Sequence, residues 1–339
     1  MLSGEGQAQA ENVEVRFSGH INRAILRADD GVADAWFNVD NSSSSTRLRL
    51  NVDTTIRSGL RAGAFFEVEY QSNPSNQVNF AIPQVSAQLL ERFIEIYVNG
   101  PWGIVRLGQG DGAAARAAEL DLSGTAVALY PNPILVGGAF VYRTSAGALS
   151  GVPIRNVIGN QNFEMRYDRL RYSTPSFAGF WVDASWGNKE SGIVETALRY
   201  GGTLAGVGQL AGAIGYSNER GLPGAADDEV VGGSFSWVHA SGINFTYGGA
   251  RRVLRGRDAK FRHFKPGYRW SQHAVAVDYA EGADQAALGE EAKMLGFAYV
   301  YSPVDWADVY AASARHTLER PAQAFRPIQF YMMGTRVRF

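Results

Sequence analysis

The stretch Arg47-Leu48-Arg49-Leu50-Asn51-Val52-Asp53 alternates strictly between polar or ionic and apolar residues. Alternation with a period of two predicts a β-strand that has one apolar and one ionic face. The same alternation resumes over residues 60–71, after a turn at Ser58-Gly59. The two segments therefore predict an antiparallel hairpin whose two faces meet different surroundings.

This alternation recurs along the whole chain and predicts about sixteen strands. The predicted strands cover residues 13–27, 45–56, 60–71, 90–98, 103–109, 163–174, 178–188, 191–202, 206–217, 228–239, 242–253, 259–269, 272–280, 291–301, 307–317 and 326–339. Their length of about ten residues is what a tilted strand needs to cross a bilayer. The sequence therefore predicts an all-β fold, a 16-stranded antiparallel transmembrane β-barrel.

The connections between these strands alternate in length. The short set comprises 57–59, 99–102, 175–177, 201–202, 240–242, 270–272 and 302–306. The other set is 28–44, 72–89, 110–162, 218–227, 281–290 and 318–325, with two short exceptions near 189–190 and 254–258. Short periplasmic turns and long external loops are typical of outer-membrane barrels, whereas a soluble sandwich gives no reason for such alternation.

The bulk composition excludes several other classes. Hydrophobic residues are 45% and charged residues 19% of the 339 residues, and the formal net charge of -1 indicates no polyanionic partner, so nucleic acid is not expected. The longest apolar candidate, Thr125–Tyr142, is broken by Pro131 and Pro133, so no transmembrane helix is predicted. The chain has no cysteine, and a closed barrel needs no disulfide.

The first residues resemble part of an export signal. Ala8-Gln9-Ala10 has the A-x-A form of a signal-peptidase site, although no basic and apolar regions precede it. We expect residues 1–10 to be the remnant of a leader, with a single barrel domain over 11–339. A coincidental triplet in a flexible leader is the alternative.

Five arginines decide which face of the strands points inward. Arg47, Arg49, Arg106, Arg169 and Arg171 lie mid-strand on the polar face. An arginine facing lipid at the bilayer midplane costs about 2–4 kcal/mol, and an unpaired one in a dry interior costs several kcal/mol. A wide, hydrated lumen removes both costs. A soluble β-protein with outward charges has the same alternation and remains the alternative.

Several segments resemble Gram-negative general porins, especially those of alphaproteobacteria. The resemblance is carried in order by 45–69, by Phe93–Gly110, by Asp168–Phe177 with Gly179-Phe180, by Pro266–Trp270 with His273–Tyr279, and by Ser302–Tyr310. It spans nearly the whole chain. It implies a trimeric outer-membrane channel for passive diffusion of small hydrophilic solutes and ions, whose long third loop folds into the lumen.

The resemblance also implies a constriction in which acidic residues of the third loop face a basic wall. The loop at 110–162 offers Asp111, Glu119 and Asp121, and the wall offers Arg16, Arg47, Arg49 and Arg106. Charges that merely solvate the lumen, without a defined constriction, are the alternative. The terminal Phe339 resembles the aromatic signal that the barrel-assembly machinery reads.

The remaining expectations concern ligands and chemistry. A substrate-selective channel for a sugar, phosphate or dicarboxylate on the same barrel is the alternative function. The five histidines show no metal-binding spacing, so neither an enzyme nor a cofactor is expected. Asp227-Asp228-Glu229 is a candidate for structural calcium, against an ordinary acidic loop. The expected partners are a homotrimer, outer-membrane lipid and lipopolysaccharide.

Overall fold

The computed structural model describes residues 13–56, 59–223, 225–254 and 256–339. The expected leader at 1–10 lies outside the described residues. Within them, no helix has the length and apolar character needed to span a membrane.

The strands form one closed antiparallel barrel. They are β1 (Val13–Asp29), β2 (Asp34–Asp40), β3 (Arg47–Thr55), β4 (Arg61–Gln71), β5 (Gln88–Gly100), β6 (Gly103–Asp111), β7 (Val141–Arg143), β8 (Leu149–Pro153), β9 (Arg166–Ser173), β10 (Phe180–Asn188), β11 (Gly192–Leu204), β12 (Gly208–Glu219), β13 (Asp228–Val238), β14 (Ile243–Leu254), β15 (Arg257–Trp270), β16 (His273–Ala283), β17 (Glu291–Val304), β18 (Ala307–Arg320), β19 (Gln323–Ala324) and β20 (Ile328–Arg338). β20 pairs with β1 and closes the wall. Among the described strands, β7 and β8 alone lie outside it, as a separate hairpin.

The main sheet contains 18 strand segments but makes a 16-stranded wall. β2 and β3 share one position, because both pair with β1, and β19 and β20 share another, because both pair with β18. The predicted fold class is therefore confirmed. The predicted long loop at 28–44 is wrong in part: β2 continues the wall there, and a 3-10 turn at Ser42–Ser44 interrupts it.

The apolar and ionic faces point as the alternation predicts. Leu48 and Leu50 are 41% and 37% exposed on the outside. Arg47 and Arg49 lie on the opposite face, where both guanidinium groups approach Glu67. That face is the interior, because the corresponding face of β10 contacts the long loop. There the amide of Ala113 donates to Ser185 Oγ on β10 at 2.8 Å.

The connection between β6 and β9, residues 112–165, is here called the constriction loop. It packs against an interior wall that is largely apolar. β17, for example, turns Ala292, Met294, Ala298 and Val300 inward while Leu295 and Phe297 face outward. Val127, Leu129, Phe140, Tyr142, Ile154 and Ile158 of the loop join this cluster. One side of the barrel is thus a dry core, and polar side chains line the rest.

The hairpin β7–β8 returns the constriction loop to the long-loop end of the barrel. Arg143 Nε lies 2.7 Å from Asp30 Oδ2, and the Asp30 side chain is almost fully buried. Arg326 Nη1 donates to the carbonyl oxygen of Gly31 at 2.7 Å and Nη2 donates to that of Ser145 at 3.1 Å. The loop is therefore anchored both inside the barrel and at its rim.

Candidate functional site

A central cavity of about 650 Å³ lies between the constriction loop and the polar part of the wall. Arginine dominates its charged lining. Arg47, Arg92, Arg116, Arg166, Arg252 and Arg336 line it, against only Glu69 and Glu119. Serine and side-chain amides supply most of the other polar groups. The narrow region therefore carries an excess of positive charge beside water.

An ion-pair network holds the wall arginines in place. Glu67 accepts hydrogen bonds from Arg49 and Arg92, and its Oε1 lies 3.7 Å from Arg47 Nη1. Arg92 also donates to Glu69. Charge-assisted hydrogen bonds of this kind fix guanidinium groups in defined geometry, and breaking one buried pair leaves an uncompensated charge. The carboxylates thus act as positioning groups for the arginines.

Arg92 reaches the interior because of an irregularity in the sheet. The register between β4 and β5 shifts where Glu67 pairs with Phe93 and Val68 pairs with Glu91. The extra residue changes the parity of β5. Arg92 and Glu95 are both buried on the interior side although their positions differ by three, which in a regular strand would place them on opposite faces. A strictly alternating pattern cannot place both inward, so the sequence alone does not fix the direction of Arg92.

Two of the predicted acidic residues lie near the cavity. Glu119 lines it, accepting a hydrogen bond from the Tyr130 hydroxyl at 2.9 Å and one from Asn160 Nδ2 at 2.5 Å. Its burial raises the pKa of the carboxyl above the ordinary glutamate value. Asp111 lies at the end of β6 and is shared by Arg116 Nε, at 3.1 Å, and Arg166 Nη1, at 3.7 Å.

Asp121 plays a different part from the other two acids. Its Oδ2 lies 2.8 Å from Lys265 Nζ on β15, and both side chains are nearly free of solvent contact. Burial opposes ionisation of Asp121, but the interactions with Lys265 and the hydrogen bonds from Ser123 together lower the pKa of Asp121. Asp121 therefore ties the constriction loop to the wall rather than lining the central cavity.

The structure separates the four predicted basic residues. Arg47 lines the cavity, and Arg49 follows it two residues further along β3. Arg106 pairs in register with Tyr97, nearer the short-turn end, where its Nε lies 3.5 Å from Glu95 Oε1. Arg16 lies at that same end and donates to Asp53 Oδ2 at 2.8 Å. Arg47 and Arg49 therefore lie together at the cavity, whereas Arg16 and Arg106 lie away from it, toward the short-turn end of the barrel.

Four arginines of the cavity were not singled out from the sequence. Arg116 belongs to the constriction loop, Arg166 begins β9, Arg252 lies near the end of β14, and Arg336 lies on β20. Arg252 and Arg336 occupy interior positions of their strands, so parity alone could have suggested them. Arg116 carries no strand pattern, and only the folded loop brings it opposite Arg47.

The terminal Phe339 lies where the barrel closes. Its amide donates to the carbonyl oxygen of Gly19 at 3.1 Å, and its own carbonyl accepts from the Gly19 amide at 2.9 Å. Its ring centroid is 6.1 Å from that of Phe17 on the outer face. The backbone of Phe339 therefore extends the pairing of the first and last strands. Its reading by the assembly machinery stays a prediction.

The acidic segment 227–229 contributes one residue to a carboxylate cluster. Oxygen atoms of Glu164, Glu219 and Asp228 lie within 4.8 Å of one another. Arg252 Nη2 lies 3.0 Å from Glu164 Oε1 and also contacts Asp228, while Lys189 Nζ lies 2.9 Å from Glu164 Oε2. These basic groups already supply positive charge to the cluster, and structural calcium there stays a prediction.

Comparison with known proteins agrees with this architecture. A family profile described as Gram-negative porin matches residues 3–320. Among curated protein sequences, none matches the chain. The anion-selective porin from Comamonas acidovorans has a TM-score of 0.69 at 15% identity, over 97% of this chain and 100% of that one.

Two further solved structures have the same fold. The trimer form of in-vitro folded OmpT, an outer membrane protein of Vibrio cholerae, has a TM-score of 0.62 at 14% identity, over 97% of this chain and 100% of that one. A triple mutant of the Rhodopseudomonas blastica porin has a TM-score of 0.58 at 12% identity, over 96% and 100% of the two chains. At these identities the likeness concerns the fold alone.

Proposed function

The chain belongs to the Gram-negative porin family, and we propose that its outer-membrane channel passes small hydrophilic solutes by diffusion and prefers anions to cations. The observation that supports this preference is the lining of the central cavity, with six arginines and two glutamates. A solute that enters this narrow region meets a positive potential, which raises the local concentration of anions and lowers that of cations.

The two glutamates offset only part of this potential. Glu69 is engaged by Arg92. Glu119 has its pKa raised by burial and accepts hydrogen bonds from neutral partners, Tyr130 and Asn160. Arg116 and Arg166 share the single carboxylate of Asp111. On this side of the constriction, five arginines contact three carboxylates, so positive charge is in excess: Arg47, Arg49, Arg92, Arg116 and Arg166 against Glu67, Glu69 and Asp111.

The reversal potential of the open channel tests the proposal. The purified protein is inserted into a planar bilayer that separates two concentrations of potassium chloride. We expect stepwise conductance and a reversal potential that indicates a higher permeability for chloride than for potassium. A channel that prefers potassium would overturn the anion preference, and folded oligomers without any channel activity would overturn the diffusion proposal itself.

We also propose the partners that the sequence predicts: two further copies of the chain, outer-membrane lipid including lipopolysaccharide, and the barrel-assembly machinery. The apolar outer face supports contact with lipid, since Leu48, Phe66 and Ile94 are among its exposed residues. A gel that compares unheated and heated detergent-solubilised samples tests the trimer, which should shift to monomer mobility on heating. We propose that transport involves no catalytic step.

A further inference from the structure

We propose that the central cavity contains a saturable binding site for a hydroxylated carboxylic acid of monosaccharide size, such as an aldonate. This inference rests on the proposed anion-preferring channel and adds that one class of anion is retained on its way through. The carboxylate would bind arginines that have unused donors, and the hydroxyl groups would bind the neutral polar wall.

Three arginines of the cavity retain unused hydrogen-bond donors. Arg47 donates to the carbonyl oxygen and hydroxyl of Ser45 at 3.0 Å, and its nearest carboxylate contact is at 3.7 Å. Within the described ranges of the chain, Arg116 and Arg166 share one ion-pair partner, the carboxylate of Asp111. A guanidinium group has five N–H donors and binds carboxylates in bidentate fashion. These groups therefore offer an incoming carboxylate direct charge-assisted hydrogen bonds.

The other three arginines of the cavity are already occupied, and among them Arg336 contacts Asp308, with its Nη2 2.7 Å from Oδ2. Arg92 is bound by Glu67 and Glu69, and Arg252 by Asp228 and Glu164. Their role is to shape the cavity, so the expected anion site lies among Arg47, Arg116 and Arg166.

The backbone at Arg116 is unusual in a way that fits this site. Arg116 has a φ of 63°, a left-handed conformation that a residue with a side chain rarely adopts. Its amide donates to Asn162 Oδ1 at 3.2 Å, and its Nε lies 3.1 Å from Asp111 Oδ2. Strain of this kind persists only where surrounding contacts hold it, and it is concentrated at functional sites. The loop thus holds Arg116 in a costly conformation beside the cavity.

The neutral side of the site comes from an interruption in the wall. Between β2 and β3 the chain leaves the sheet, and the turn Ser42–Ser44 brings serines to the cavity beside Asn76. Asn132 of the constriction loop lines the same cavity. Ser43 Oγ and Asn132 Oδ1 are buried and have no hydrogen-bond partner within the described part of the chain. Buried polar atoms are rarely left unpaired, so a small movement that exposes these two atoms to the cavity would let water or a hydroxylated solute supply the missing hydrogen bonds.

The combination of charge and neutral hydrogen-bonding groups selects for a hydroxylated acid. An apolar acid would displace water from serine and amide groups without replacing its hydrogen bonds, which costs affinity. A neutral polyol would leave the arginine donors unused. The volume of about 650 Å³ lies within the range of about 300–1,000 Å³ that is usual for small-molecule sites, and a monosaccharide-sized acid fits within it.

Single-channel block by matched solutes tests the proposal. Gluconate carries both a carboxylate and hydroxyl groups, sorbitol carries the hydroxyl groups alone, and hexanoate carries the carboxylate alone on a chain of equal carbon number. We expect gluconate to reduce the chloride current with saturation, at a half-blocking concentration at least about tenfold below those of sorbitol and hexanoate. Each block is normalised to the open current of the same channel.

Variants separate the two halves of the site. Ser43→Ala combined with Asn132→Ala should raise the half-blocking concentration of gluconate about tenfold, because about two hydrogen bonds are lost. Arg166→Gln should weaken the block by gluconate more than that by sorbitol. Ser176→Ala, on an exposed short turn, is the matched control and should behave as the original protein.

The outcomes distinguish a failure of the proposed binding site from a failure of the proposed channel function on which it rests. A chloride-preferring channel with a linear, unsaturable response to gluconate would overturn the binding site and leave the proposed function standing. Equal block by hexanoate would overturn recognition of the hydroxyl groups, and equal block by sorbitol would overturn recognition of the carboxylate. A channel that prefers potassium would overturn the proposed function itself.

Discussion

Lys265 on β15 places its Nζ 2.8 Å from Oδ2 of Asp121 on the constriction loop, and neither side chain has appreciable contact with solvent. The same ammonium group donates to the carbonyl oxygen of Leu129 at 2.5 Å. Removing one partner of such a buried pair leaves an unpaired charge in a dry region. This single contact therefore connects the position of the constriction loop to the stability of the barrel interior.

Lys265→Met should destabilise the docked constriction loop by about 3–5 kcal/mol, because Asp121 then stays buried without its partner. Protease cleavage within the loop and the noise of the open-channel current both measure the effect, and both should increase. Lys293→Met, which removes an outward lysine paired with Glu291, is the control and should change neither. Equal behaviour of the two variants would contradict the anchoring role.

Arg166→Gln should lower the preference for chloride by up to about fivefold, since one unit charge about 4 Å from a passing ion in water is worth about 1 kcal/mol. The reversal potential in a potassium chloride gradient measures this change. Arg262→Gln is the matched control, because Arg262 faces outward beside Glu281. An unchanged reversal potential in Arg166→Gln would show that the cavity does not control selectivity.

Anion preference should increase on acidification because of Glu119. Burial raises the pKa of this carboxyl, so it gains its proton at a higher pH than an ordinary glutamate, whose pKa is about 4.3. Protonation removes one negative charge from the constriction and leaves the arginines charged. Reversal potentials measured at successive pH values should therefore move toward the chloride potential as the pH falls.

The variant Glu119→Gln checks the origin of that pH dependence. This variant should have the higher chloride preference already at neutral pH. Its chloride preference should no longer rise on acidification at pH values above the ordinary glutamate pKa. Glu291→Gln, on the outer face, should keep the original pH profile. A profile unaffected by Glu119→Gln would assign the titration to another group.

Phe140→Ala should loosen the constriction loop from the apolar wall by about 3–5 kcal/mol. Phe140 is fully buried, and its ring contacts those of Phe37, Phe80 and Phe330 at centroid distances of 5.5, 5.1 and 5.2 Å. Thermal unfolding and current noise should both report the loss. Phe177→Ala removes a ring that is 85% exposed and should have little effect.

Much of the barrel was predictable because each strand carries its own evidence. The alternation of Leu48 and Leu50 with Arg47 and Arg49 identifies a strand and its two faces without knowledge of its neighbours. The wall position that β2 and β3 share was harder to predict. The sequence predicts a loop over β2 because the turn Ser42–Ser44 separates it from β3, and pairing with β1 reveals that both belong to the wall.

The apolar part of the barrel interior is harder to recognise from sequence alternation. In β17 the interior residues Met294 and Val300 are as apolar as the outward Leu295 and Phe297, so the segment does not alternate in polarity. The apolar middle of the constriction loop does suggest packing inside the barrel. Which strands receive it depends on contacts between residues far apart in the chain, such as Phe140 with Phe330.

Local sequence patterns are enough to identify the strands, their lipid-facing and interior sides, and a long loop that bears charged residues. These properties are local, because alternation and turn chemistry act over a few residues. The roles of the charged groups depend on long-range contacts, which place Glu119 at the cavity, use Asp121 to anchor the loop, and bring Arg116 and Arg166 to Arg47. Barrel curvature, the bulge at Arg92 and the docking of the loop set those distances, and none of them is encoded at a single position.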